Sequence, residues 1–438
     1  MNKENYRSSS RWSRLFTLHP IVKRLLLIRG LRSLGQGAMV VDLTLYLKDL
    51  NWSGASIGGV TSVAGLFGAA LILVVGILSD RLGRKPFLLI YEVLTILSAL
   101  LACFTEQAVF LMFAIVIAGF GRGQSGAAGP FSPAEQAWLA RYVDRGSRGF
   151  VFSLNSAVGF IGMAIGSVIG GVPTLIHASR PIVSYRPVFI MVAVISLACT
   201  MILSVMNESR VSLGRIDNMS SVQTDAKSTV NFAYEGTKES KIRRQENKSM
   251  LKLALVNVLN GLAVGLTGPM MAYWFSLRYG VSTAAIGTTL SIAFLMTGGT
   301  SILNGFLAQR VGMVKSVTWM RVISSLMMLA LPWMPSFTTA SVLYVVRSAI
   351  NRGTQGNRSA LSASLTRDNR RGLATSINAF SMRVPSSVGP TITGYLFDVG
   401  QLGLPLILTA TLQLANASIY QWIFGRYDSK DNSAVTSN

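Results

Sequence analysis

The chain has 438 residues, half of them apolar and only 13% charged, with a mean hydropathy of +0.46. That charged share is about half the usual globular value of roughly 25%, which excludes a disordered chain and argues against a soluble enzyme. Two cysteines and two histidines exclude a disulfide framework and a four-ligand zinc centre, while the formal net charge of +22 fits either nucleic-acid binding or the basic inner loops of a membrane protein.

Taken in chain order, residues 1–20 form a polar tail. The first apolar run covers roughly 22–47 and contains Arg29 and Arg32, so it is read as a membrane span and not as a cleaved signal. Stretches without charge, each long enough for the roughly 20 residues a bilayer requires, follow at Leu50–Ser79, Gly149–Ser179, Pro187–Asn207, Leu253–Leu277, Tyr279–Gln309, Val322–Val346 and Val399–Gly425. Apolar segments holding one or a few ionisable residues lie at 87–105, 108–128, 340–361 and 373–397. Twelve spans result, all helical, because unpaired strand edges find no water in lipid.

The loops give an orientation. With the N-terminus inside, the inner segments hold 28 Lys and Arg, and the outer loops hold four: Lys48, Arg180, Arg186 and Arg278. This asymmetry explains most of the charge excess by topology. It places both termini in the cytoplasm, and it leaves no role for nucleic acid. Residues 207–250, rich in Ser, Asn, Lys and Glu, read as a cytoplasmic linker. They separate a six-helix bundle at 21–206 from a second at 251–425, with a tail at 426–438.

The two halves repeat. Ile57-Gly58 and Gly76–Gly83 align with Ile286-Gly287 and Gly305–Gly312 at one offset of 229. Arg122–Gly126 aligns with Arg352–Gly356, and Arg148-Gly149 with Arg371-Gly372. Between these blocks the first half carries seven extra residues around Gly129–Glu135. Same-sense repeats with an even helix count imply parallel halves about an axis along the membrane normal, with a solute site near the midplane.

At the second inner loop, Gly76-Ile-Leu-Ser-Asp80-Arg81-Leu-Gly83-Arg84-Lys85-Pro86 resembles the loop between the second and third helices of the major facilitator superfamily. Gly76 and Gly83 suit close contact and a tight turn, Asp80 suits a helix N-terminus or an arginine, and Arg81, Arg84 and Lys85 hold the loop inside. The resemblance implies that these residues form a conformational latch, weaker in the second half, where Gln309 replaces Asp80. Arg122, Gly126 and Ala127 resemble the family's fourth-helix motif, which implies proton coupling at Arg122 or, in the second half, at Arg352. The Gly162-Gly166-Gly170 series lacks the Gly-Pro pair of the family's antiporters and reads as helix packing. The resemblance covers roughly residues 20–425. It implies an all-α membrane protein of twelve transmembrane helices in two pseudo-symmetric six-helix bundles.

All eight in-span basic residues are arginines, against two clear in-span acids, Asp42 and Glu92. Arg29, Arg321 and Arg358 lie within about two turns of an inner end and are expected to snorkel out. Arg32, Arg347 and Arg383 lie deeper. In the family the first, fourth, seventh and tenth spans line the cavity, which makes Arg32, Gln36, Arg122, Asn257, Asn260 and Arg347 substrate-cavity candidates, with Arg383 beside Pro385 added for its depth. Tyr273 and Trp274 read as an interfacial aromatic belt. Asp42 and Glu92 are the coupling candidates.

These readings describe a secondary transporter working by alternating access: no enzyme, no cofactor, no metal, and no nucleotide-binding phosphate loop. Its partners are a small-molecule substrate, the lipid bilayer and a proton or other coupling ion. It is expected as a monomer in a prokaryotic plasma or inner membrane. Export of amphipathic compounds is the expected activity. Uptake or exchange of an organic anion, and a non-transporting receptor on the same fold, are the alternatives.

Overall fold

Backbone amides that enter lipid must bond within their own segment, and in the computed structural model every described element is helical. The structure describes residues 18–121, 132–143, 148–176, 180–208, 229–354, 358 and 371–435. Their helices are α1 (Pro20–Asp49), α2 (Gly54–Leu82), α3 (Lys85–Phe104), α4 (Ala108–Ala118), α5 (Ser132–Arg141), α6 (Arg148–Ile169), α7 (Pro181–Ser204), α8 (Thr229–Thr267), α9 (Met271–Tyr279), α10 (Thr283–Val311), α11 (Met313–Ala330), α12 (Phe337–Gly353), α13 (Arg371–Asp398) and α14 (Leu404–Val435).

Among the described residues, six stretches are by length and composition alone apolar enough to cross a membrane: Gly54–Val75, Lys85–Phe104, Phe150–Leu175, Pro181–Ser204, Glu246–Thr267 and Val314–Trp333. Other helices fall short because ionisable and small polar residues interrupt them, as Arg29, Arg32 and Asp42 do in α1. Large apolar side chains stay exposed along the bundle walls, among them Leu97, Val194, Leu255 and Leu295. Such residues would be a liability in water but suit contact with acyl chains.

Several boundaries differ from the sequence expectation, each for a local reason. The stretch Val322–Val346 is not one helix: Pro332 sits in a 3₁₀ turn, Leu331–Trp333, and a Ser336–Thr339 capping box starts α12. The expected span Leu253–Leu277 breaks after Thr267, where Gly268-Pro269 precedes α9. The next helix starts at Thr283 and not at Tyr279, because Gly280 takes a left-handed φ of 61°. Helix α8 begins at Thr229, inside the segment expected as a linker; that stretch holds many Glu, Lys and Arg residues, all good helix formers.

Contacts divide the chain into two compact units. The first comprises Met1–Trp52, Ala70–Met206 and Ala272–Gly298, and the second Ser53–Ala69, Asn207–Met271 and Gly299–Asn438. In the first, α1 packs on α6 and α7, and α3 on α7. Its core joins Leu25 and Ile28 of α1, Leu88 and Tyr91 of α3, Trp138 of α5 and Leu203 of α7. In the second, α8 packs on α13 and α11 on α14. A core of Leu253, Val256, Val314, Val317, Tyr420 and Phe424 ties α8, α11 and α14.

Candidate functional site

The most highly bonded buried charge described in the first unit is Arg32, only 6% exposed. Its Nε and Nη2 donate to Glu92 Oε1 at 2.8 and 2.6 Å, and its Nη1 donates to Glu135 Oε2 at 2.8 Å. The guanidinium also stands 5.5 Å from the centroid of the Tyr91 ring. One arginine on α1 is thus held by α3 and α5. A buried charge persists only when paired and hydrogen-bonded, and here both conditions are met. Sequence reasoning singled out Arg32 and Glu92 but gave them separate roles, and it missed Glu135. That glutamate belongs to the seven residues that the second half lacks, and an acid in an otherwise small-residue insertion was the available signal.

Arg29 is 4% exposed, which corrects the expectation that it snorkels outward. It points inward, where the charge of Glu135 attracts it. Asp42, further along α1, is 1% exposed, and both its carboxylate oxygens lack a hydrogen-bond partner. Gln36 on the same helix has an unpartnered Oε1. Beyond Asp42, the rings of Tyr46 and Tyr185 meet at a tilt of 50° with centroids 5.1 Å apart, and the Tyr185 hydroxyl donates to Asp49 Oδ2 at 2.9 Å. These residues adjoin a cavity of about 390 Å³ bordered by Lys48, Asp49, Tyr185, Ser276 and Thr283.

The basic loop after α2 is built as its glycines suggest. Gly83 takes φ 92°, and Gly312, its counterpart at the offset of 229, takes φ 98°; only glycine adopts such a turn without strain. Arg84 donates to the Ala137 carbonyl at 2.9 Å, and Lys85 donates to the carbonyls of Ser204 and Met206 at 2.8 and 2.7 Å. The loop is thereby fastened to α5 and to the end of α7. Gly76, Asp80 and Arg81 lie on α2, but their side chains fall outside the described residues.

In the second unit the polar residues gather on α8, α12 and α13. Asn257 Nδ2 donates to Asn378 Oδ1 at 2.6 Å and to Ser381 Oγ at 3.3 Å, while Asn260, 2% exposed, faces Met382 Sδ at 3.8 Å. A Cβ on Gly265 would collide with the Ser386 carbonyl, the group that Pro390 leaves without its helical N–H donor. Arg383 is half-buried on α13. Arg347 on α12 is 7% exposed with an unpartnered Nε. Neither arginine makes an ion pair among the described residues. Arg352 closes α12; Arg122 lies outside the described residues.

Two further expectations are corrected. Tyr273 and Trp274 are 5% and 1% exposed, and Trp274 packs edge-on against Phe275 and Tyr279. They form an interior cluster, not an interfacial belt. Arg321, expected to snorkel, is 2% exposed and bonded to Asn416.

The family model of the Major Facilitator Superfamily matches residues 25–229 and 253–436. The chain belongs to the Major Facilitator Superfamily. It is also 22% identical over 418 residues to an uncharacterized membrane protein of Saccharomyces cerevisiae, covering 91% of this chain and 93% of that one. Among solved structures, it is similar to an inward-facing, occupied bacterial homolog of the human lysosomal transporter Spinster (TM-score 0.70, 14% identity, 97% of this chain and 99% of that chain). It is similar as well to a nucleoside transporter (TM-score 0.69, 14% identity, 92% and 100%) and to a D-xylose–proton symporter (TM-score 0.66, 14% identity, 91% and 97%). At these identities the likeness fixes the fold: this is a major facilitator transporter with the two-domain architecture of that superfamily.

Proposed function

We propose that this transporter is a secondary active carrier that works by alternating access, moves a small organic solute bearing an anionic group, and couples to protons through Asp42. One contrast carries the substrate reading. Arg32 is neutralised by two glutamates, whereas Arg347 and Arg383 have no acidic partner among the described residues. An arginine fork that is buried but not paired is suited to a carboxylate or phosphate brought by a solute. Asn257 and Asn260 of the same unit supply neutral hydrogen-bonding groups, and Gln36 is a further candidate in the first unit.

Coupling rests on Asp42. Glu92 spends its charge on Arg32, so Asp42 is the acid free to bind and release a proton as its surroundings change. The latch residues Gly76, Asp80, Arg81, Gly83, Arg84 and Lys85 govern the exchange between states, and both termini face the cytoplasm. Arg122 and Arg352 remain the further coupling candidates of the fourth-helix motif and its repeat.

Purified protein in proteoliposomes, offered matched anionic and neutral amphipathic compounds, tests this reading. Arg347→Gln and Arg383→Gln should cut transport of the anionic member at least tenfold and spare the neutral one. Equal loss of both counts against it, and preferential export of the neutral compound favours an amphipathic exporter. Binding without movement across the membrane would make the protein a receptor. Asp42→Asn should abolish accumulation driven by an imposed pH gradient while counterflow exchange continues; if gradient-driven uptake survives, Asp42 is not the coupling acid.

A further inference from the structure

The two halves put opposite charges at matching places. The offset of 229 that relates Ile57-Gly58 to Ile286-Gly287 also relates Glu92 on α3 to Arg321 on α11. Glu135 belongs to the seven residues that the second half lacks and has no counterpart there; the other arginine of interest in that half is Arg358. The place of Arg32 is taken by Gly261. Where the first half sets Glu92 beside Arg32, the second sets Arg321 at the place of the acid and Gly261 at the place of the arginine.

Among the described residues, the surroundings of those arginines hold no counter-charge. Arg321 is 2% exposed, its Nη1 donates to Asn416 Oδ1, and its guanidinium stands 5.8 Å from the centroid of the Tyr420 ring. Asn416 in turn donates to the Val256 carbonyl at 2.5 Å. Arg358 is near enough for its charge to repel Arg321. No carboxylate pairs with either arginine among the described residues. The Nε atoms of both are buried without a partner, as are both polar side-chain atoms of Gln413. Gln413, Asn416 and Tyr420 fall on one face of α14 by helical spacing. Two like charges held together out of water, ringed by unspent donors, are stable only beside an anion.

We infer that α11, α14 and Arg358 form a binding site for a phosphate-type oxyanion. Two guanidinium forks and the Gln413 amide match a group with several acceptor oxygens. The anion comes either from a phospholipid headgroup or from solution. The site uses neither Arg347 on α12 nor Arg383 on α13, so it stands whether or not the transported solute is anionic.

The test measures the thermal midpoint of the full-length protein in neutral detergent. One arm titrates inorganic phosphate against sodium chloride of equal ionic strength. The other titrates dioleoylphosphatidylglycerol against dioleoylphosphatidylcholine. A saturable rise of about 3–5 °C is expected. Response to phosphate assigns a dissolved anion, and response to phosphatidylglycerol alone assigns the headgroup. Arg358→Gln, at a half-buried position, should remove the response. Arg321→Glu restores the charge pattern of the first half beside Arg358, and should raise the midpoint without anion and remove the response to it. The inference is overturned if neither titrant exceeds its control, if any rise is linear and unsaturable, or if Arg358→Gln keeps the full response. Should Arg321→Glu fail to fold, the wild-type and Arg358→Gln arms still decide.

Discussion

Arg32 shows how a charge becomes tolerable at membrane depth. Even on a lenient insertion scale a central arginine costs about 2.5–3.5 kcal/mol, and Glu92 and Glu135 offset that cost with three short bonds. The same geometry makes the trio fragile to single changes, because removing one acid leaves charge stranded. Glu92→Gln should destabilise the purified protein by about 3 kcal/mol, read as a lowered thermal midpoint. Arg32→Gln combined with Glu92→Gln should cost clearly less than the two single changes added together; strict additivity would mean that the pair is not coupled. The individual charges were legible in the sequence, and the scarcity of acids beside eight arginines flagged them as functional. Their pairing was not, since Arg32 meets partners 60 and 103 positions away, and helical spacing reports only on one helix. The same limit misdirected the snorkelling expectation. Distance from a helix end says how far Arg29 or Arg321 could reach, but neighbouring helices decide which way each turns.

At the scale of elements, hydropathy located most of the long helices but not α5 or the start of α8, and proline and glycine chemistry corrected the ends. Pro332 and Gly280 are individually readable as breakers, yet a run without charges overrode them in the expected spans. A connection that no local pattern reveals is the cap on α2. Asp398, at the end of α13, accepts from the backbone N–H groups of Gly54 and Ala55 at 2.6 and 2.8 Å. A carboxylate here meets both the open donors and the positive end of the helix. Close approach makes the bond possible, for a Cβ at Gly394 would strike the carbonyl of Gly54, and Thr391 Oγ1 and Ser62 Oγ lie 2.7 Å apart further along the same contact. If transport separates α2 from α13, weakening this cap shifts the balance between states. Asp398→Ala should remove about 1 kcal/mol of capping energy, a roughly fivefold shift in that equilibrium. A cysteine at position 62 should then react several times faster with a membrane-impermeant maleimide added from the outer side. An unchanged labelling rate would mean that this end stays closed through the cycle.

For the whole molecule, the sequence repeat carried more than any single motif. It predicts parallel halves, and the paired left-handed glycines Gly83 and Gly312 show that the repeat extends to backbone conformation. It did not carry the chemistry, because the halves have diverged in charge where they agree in shape: Glu92 matches Arg321, and Asp80 matches Gln309. Function in a repeat fold resides in such departures from symmetry, since a perfect repeat would bind alike on both sides of its axis. The proposed cytoplasmic placement of both termini rests on 28 basic residues set against four, and it can be examined independently of any substrate. Single cysteines placed at Arg84 and Arg371, in inner loops of the first and second halves, should both be blocked by an impermeant maleimide only after the inner face is opened. A cysteine at Arg180 should be blocked in intact cells. If positions 84 and 371 label from opposite faces, the parallel relation of the halves fails, and the alternating-access reading fails with it.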